Sequence, residues 1–205
     1  MTLSKILLSS LAVSALAIAA PATAKIATGS NVSDMTVIDS NGVEHNLSDF
    51  AGKKVVLEWT NHGCPYVKKH YKTDNMQKTQ KLATADGAVW LSIVSSAPGK
   101  QGYVTGVEAN ELTEKRGAVP TAVVLDPEGD MGRTFAAKTT PHMYIIDEDQ
   151  TLVYQGAIDD NRSASPRAVK GAKNYVAAAL DDLKAGNDVA VSDTAPYGCN
   201  VKYKS

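Results

Sequence analysis

Cysteine is scarce in this chain: Cys64 and Cys199 are the only two in 205 residues. A disulfide-built scaffold is excluded, because removing a leader still leaves about 180 residues, enough for a full hydrophobic core. Charge of one sign is missing as well. The 21 basic residues nearly balance the 22 acidic ones, and no basic stripe interleaves with aromatics. Nucleic acid and anionic membrane surfaces are therefore poor partners. Long apolar runs are lacking too. Only Ile6 to Ala20 approaches one, and it falls short of the roughly 18 to 20 residues that cross a bilayer. There is no Walker loop, Rossmann glycine pattern or Ser/His/Asp arrangement, so no cofactor is called for.

What is present begins with an export signal. Lys5 precedes the apolar run, and Pro21-Ala22-Thr23-Ala24 ends in the small-residue pattern that signal peptidase cuts. Residues 1–24 are read as a signal peptide, with the periplasm as destination. Lys25 follows the cut, so no new N-terminal cysteine could carry a lipid, and no membrane anchor is expected. Residues 25–34 are small and polar and read as a lead-in tail. Residues 35–205 then form one domain.

Along that domain, Met35–Asp39 and Val43–Leu47 flank Asn41-Gly42 as a hairpin. The β-branched and aromatic run Lys54–Thr60 reads as a buried strand. The loop Asn61-His62-Gly63 leads to Cys64 and Pro65, and the pattern predicts a helix from Pro65 to about Thr84. Further strands are expected at Ala88–Ser95, Thr121–Leu125, Met143–Ile146 and Leu152–Ala157, the last two antiparallel. Helices are expected over 105–116, over Pro127–Ala136, and from Ser165-Pro166 to about Ala185. Strands alternating with helices, then a hairpin and a closing helix, predict an α/β fold with a mixed central sheet flanked by helices. It carries an N-terminal hairpin extension and a C-terminal tail.

The chemistry centres on Cys64. A cysteine between a core strand and a helix opening with proline sits where unpaired N–H groups and the helix dipole favour a thiolate. The competing reading is a buried, inert thiol. Lys68 and Lys69 are expected to point to water, and His45 and His70 to lie at the surface. Thr139-Thr140-Pro141-His142 stands immediately before a core strand, and with the Cys-Pro helix start it resembles the cis-proline loop of thioredoxin-fold proteins. Trp59 and Trp90 are expected in the core, and the Asp147-Glu148-Asp149 and Asp159-Asp160-Asn161 runs read as turns.

The stretch from Trp59 to Tyr71, including His62-Gly63-Cys64-Pro65-Tyr66-Val67, the run Gly156 to Asn161, and the tail Tyr197-Gly198-Cys199-Asn200-Val201-Lys202-Tyr203 resemble the peroxiredoxin-like branch of the redoxin family. That family includes the alkyl hydroperoxide reductase and thiol-specific antioxidant enzymes. The resemblance implies a thioredoxin-like fold and a thiol-dependent oxidoreductase. Cys64 would be the nucleophile, acting on a peroxide or on a protein or small-molecule disulfide, with an unidentified thiol as electron donor. Thr60, His62, Thr140 and Pro141 would meet the substrate.

The chain also departs from the family. Val67 stands where thioredoxins carry their second cysteine, and Leu57 and Asn61 replace the proline and threonine that precede a peroxidatic cysteine. Thr60 is displaced by one position, and nothing singles out Arg116, Arg133, Arg162 or Arg167 as a peroxide-holding arginine. With no neighbouring partner, Cys64 is expected to pair with Cys199, which is either a resolving thiol carried on a swinging tail or half of a standing disulfide. Two alternatives stay open: a non-catalytic binding module, and a copper or zinc carrier using Cys64 with His62 and His142. No metal is assigned.

Overall fold

The computed structural model describes residues 26–32 and 34–205; the signal-peptide reading falls outside them. The lead-in is not a loose tail. Its Gly29 N–H donates to Leu152 O at 2.8 Å, Val32 N–H donates to Gln150 O at 2.7 Å, and the Val32 side chain is buried in the core.

A seven-stranded mixed sheet organises the molecule. β1 (Thr36–Asp39) and β2 (Glu44–Asn46) form the expected hairpin, its turn tied by the Asp39 carboxylate accepting the N–H groups of Asn41 and Val43. β3 (Val55–Trp59), β4 (Val89–Val94) and β5 (Ala122–Leu125) are the parallel centre, and β6 (Thr139–Thr140) lies apart from them. β7 (His142–Ile146) and β8 (Leu152–Gly156) complete the sheet, in the order β2-β1-β5-β4-β3-β7-β8. Every residue of β3, β4 and β7 is buried, which is why those strands read as continuous apolar runs. Trp59 and Trp90 fill the cores on opposite faces of the sheet, as the sequence suggests.

A carboxylate lies inside this core among other buried polar groups. Glu58 of β3 is fully buried, and it accepts hydrogen bonds from Tyr71, Gln80, Trp90 and Ser92. Burial pushes its carboxyl pKa up, against the pull of Arg116 and those donors.

Two predicted helices are broken. The run after Cys64 divides into α1 (Pro65–Lys72) and α2 (Asn75–Ala85), with Asp74 in the left-handed region at φ 57°. The Thr73 hydroxyl takes the Lys69 carbonyl at 2.9 Å, and the Gln77 amide takes that of Tyr71 at 2.9 Å. Side chains thus satisfy carbonyls that a continuous helix would have bonded itself. α3 (Gly106–Lys115) opens on a Thr105/Glu108 capping box, and α4 (Asp130–Thr134) is short. The closing helix is only α5 (Tyr175–Lys184). Pro166–Val169 forms a separate 3-10 turn, Gly171 takes φ 83°, and Asn174 caps α5 by accepting the Ala177 N–H. Last comes β9 (Cys199–Asn200), which pairs antiparallel with β6. Among the described residues no helix is long and apolar enough to cross a membrane.

Candidate active site at the Cys64 helix start

Cys64 is the N-cap of α1, its backbone extended (φ −70°, ψ 126°), with Pro65 supplying the first helical turn. The loop before it is held by Asn61. Its side-chain oxygen accepts the Gly63 N–H at 2.8 Å, and its amide donates to Gln101. The sulfur lies 3.0 Å from the Thr140 carbonyl, next to the Thr140–Pro141 peptide, which is cis.

The other side of that loop is occupied by the chain's own tail. Thr140 pairs with Cys199 and Thr139 with Asn200, and the Val201 N–H donates to Lys138 O at 3.1 Å. Gly198 lies so close that a Cβ there would overlap the Thr140 carbonyl oxygen, and its φ of 146° is one that residues with side chains rarely adopt. The tail is therefore a docked strand, not the swinging segment expected from its polar sequence.

Both thiols are free and meet across this junction. Burial would raise the Cys64 thiol, but hydrogen bonds from the Cys199 thiol, the Val67 N–H, the Cys199 backbone and Thr140 outweigh it and lower its pKa. Burial, together with its bond to Cys64, pushes Cys199 up to about 11. The pair is thus shifted in opposite directions, the Cys64 thiol down and the Cys199 thiol up.

A buried polar network anchors the tail just before Cys199. Tyr197 donates its hydroxyl hydrogen to Asp159 and accepts from Lys69 at 3.0 Å. His70 Nε2 stands 3.1 Å from the same oxygen, and Asn75 lies 2.8 Å from His70 Nδ1. With the hydroxyl hydrogen committed to Asp159, His70 must donate through Nε2 and accept through Nδ1 as a neutral ring. Burial, with Lys69 beside it, drives its pKa down to about 3. Lys69 also donates to Asn161 O at 2.7 Å and pairs with Asp159 at 3.5 Å.

Two expectations fail here: Lys69 and His70 are buried, not surface groups. Their place in the run Lys68-Lys69-His70 looks solvated because the partners that bury them, Asp159 and Tyr197, are far along the chain. His45 is partly covered through its pairing with Asp39. The sequence reading missed Lys69, Asp159 and Tyr197 as a unit, and the one available signal was Tyr197 immediately preceding Gly198-Cys199.

The remaining candidate residues scatter. Thr60 is buried, its hydroxyl bonds no partner among the described residues, and it lines a small cavity with Tyr71, Ser92 and Arg116. His62 lines a groove of about 560 Å³ with Lys68, Lys72, Lys115 and Arg116. Burial and the nearby Arg116 and Lys68 charges lower its pKa. His142 is buried elsewhere: its Nδ1 accepts the Lys138 N–H at 3.2 Å and lies 3.0 Å from the Tyr144 hydroxyl, and burial holds its pKa at about 3. Among the described residues no three His, Cys, Asp or Glu side chains gather to hold a metal ion. Arg116 stacks on Tyr71 and Arg133 on Tyr203, and no arginine hydrogen-bonds Cys64.

A mixed sheet with a cysteine capping the helix after its central strand, set against a cis-proline loop, defines the thioredoxin-like class of fold. Solved structures agree. A hypothetical protein from Sinorhizobium meliloti 1021 superposes with TM-score 0.74 at 20% identity, over 89% of this chain and 97% of that one. An uncharacterized conserved protein from Geobacillus kaustophilus gives 0.72 at 22% identity, over 87% and 93%. A putative thiol:disulfide interchange protein from Chlorobium tepidum gives 0.51 at 21%, over 64% and 85%. A search of curated proteins finds no match. The family model for redoxin matches residues 27–175, and the chain belongs to the redoxin family.

Proposed function

We propose that this protein is an exported thiol–disulfide oxidoreductase whose reacting pair is Cys64 and Cys199. The observation that carries the reading is the meeting of the two thiols against the Thr140 carbonyl, with Cys64 biased toward thiolate by the Cys199 hydrogen bond. Such a pair passes two electrons: it closes to a disulfide as a partner disulfide is reduced, and opens as a partner dithiol is oxidised. Partners are protein or small-molecule disulfides and thiols, met after export by the leader at residues 1–24. A peroxide is the weaker substrate, because Thr60 lines a cavity that Cys64 does not line and no arginine bonds the Cys64 sulfur.

Proteolysis and mass spectrometry of protein treated with a model disulfide should yield a peptide linked through Cys64 and Cys199. Two free thiols after that treatment, or faster consumption of hydrogen peroxide than of the disulfide, would overturn the assignment.

A further inference from the structure

The two cysteines differ in what they offer to a partner. Cys64 is 0% exposed, enclosed by the Thr140 carbonyl, α1 and the tail. Cys199 packs against the same apolar cluster but stays partly open to solvent. Even the large groove beside the helix start reaches only Cys64's neighbours His62 and Val67.

The backbone adds a second restriction. In an antiparallel pairing the edge of β6 could receive an incoming strand. That edge is already filled by Cys199–Asn200, locked by Gly198 against Thr140 and by Tyr197 in its buried network. A partner polypeptide arriving at this face therefore meets the tail before it meets Cys64.

We infer that Cys199 is the partner-facing sulfur of the pair and Cys64 the interior one, the reverse of the order implied by the helix-start position alone. This rests on the proposed exchange between the two cysteines and assigns the sulfur at which it starts. In the oxidised protein, a partner thiolate attacks Cys199 Sγ. The partner–Cys199 bond forms, the Cys64–Cys199 bond breaks, and its electron pair leaves on Cys64. The second thiol of the partner, having lost its proton, then attacks the partner sulfur in the mixed disulfide. The partner disulfide forms, and Cys199 leaves and takes up a proton. Two partner thiols have become one disulfide, and the protein's disulfide has become a Cys64 thiolate and a Cys199 thiol. The lowered Cys64 pKa supports this order, because the more acidic thiol is the better leaving group.

The test uses the full-length wild-type protein, oxidised until the Cys64–Cys199 linked peptide is confirmed, then mixed briefly with reduced glutathione and quenched with acid. Peptide mapping locates the adduct. Glutathione on Cys199 should exceed glutathione on Cys64 on the order of tenfold, because access and leaving-group acidity act together. A majority on Cys64, or equal labelling, overturns the assignment while leaving the exchange reading intact. Failure to form the linked peptide at all overturns both.

Discussion

Around Cys64 the neighbours come mostly from adjacent sequence: Asn61 accepts its N–H through the backbone carbonyl, Pro65 starts the helix, and Val67 turns its N–H toward the sulfur. Around Cys199 almost nothing is local. A two-residue strand, a glycine with no room for a side chain and two tyrosines, Tyr197 and Tyr203, hold it there through residues 30 to 130 positions away. Such different constraints should fail differently. The helix-start cysteine rests on backbone geometry that point changes hardly disturb, whereas the tail cysteine depends on a few long-range polar contacts.

Removing either sulfur breaks the comparison most completely. Cys64→Ser and Cys199→Ser should each lower disulfide exchange by at least on the order of a hundredfold, since each removes a bond-forming atom. Their circular dichroism should stay native. Turnover retained in either variant would show that the pair is not the reacting unit.

Acid should act next, and mainly on the tail side. His70 and His142 are held near pKa 3 when folded, below the ordinary value of about 6.5. Between those values the unfolded chain binds more protons than the folded one, so stability is full above about pH 6.5 and falls as pH drops toward 3. The slope is roughly 1.4 kcal/mol per pH unit for each histidine. Urea titrations across this window check it, and a His70→Gln variant should show a shallower slope.

Tyr197→Phe sharpens the comparison further. It leaves buried Lys69, His70 and Asp159 without their shared hydroxyl and should cost about 1–3 kcal/mol. With the tail loosened, Cys64 loses the bond from Cys199, and the pH midpoint of its alkylation should rise. An unchanged midpoint would mean that the network does not position Cys199. Tyr203→Phe is the mild counterpart. Its hydroxyl donates to Ala137 O at 2.7 Å in a partly open site, so a loss of about 0.5–1.5 kcal/mol with an unchanged Cys64 midpoint is expected from urea melts and labelling.

Strand positions, the Cys-Pro helix start and the loop at Thr140-Pro141 were legible in the sequence because each depends on residues within a few positions of one another. Buried strands advertise themselves by composition, and Pro65 by the N–H it lacks. The breaks after Lys72 and before Tyr175 were not legible, since Thr73, Gln77 and Asn174 act through side-chain bonds that helical periodicity does not reveal. Pairing of Cys64 with Cys199 was suggested by counting cysteines, but the wrong mechanics came with it: a swinging tail in place of a docked strand.

The sequence by itself determined that one cysteine would cap a helix behind a buried strand, because that placement follows from local hydrophobic pattern and backbone geometry. Only the tertiary structure decided which cysteine is enclosed and which is partly exposed, and that Lys69 and His70 turn inward. Those outcomes depend on Asp159 and Tyr197 arriving from more than 85 residues further along the chain. A buried charge is tolerated only where such partners meet it.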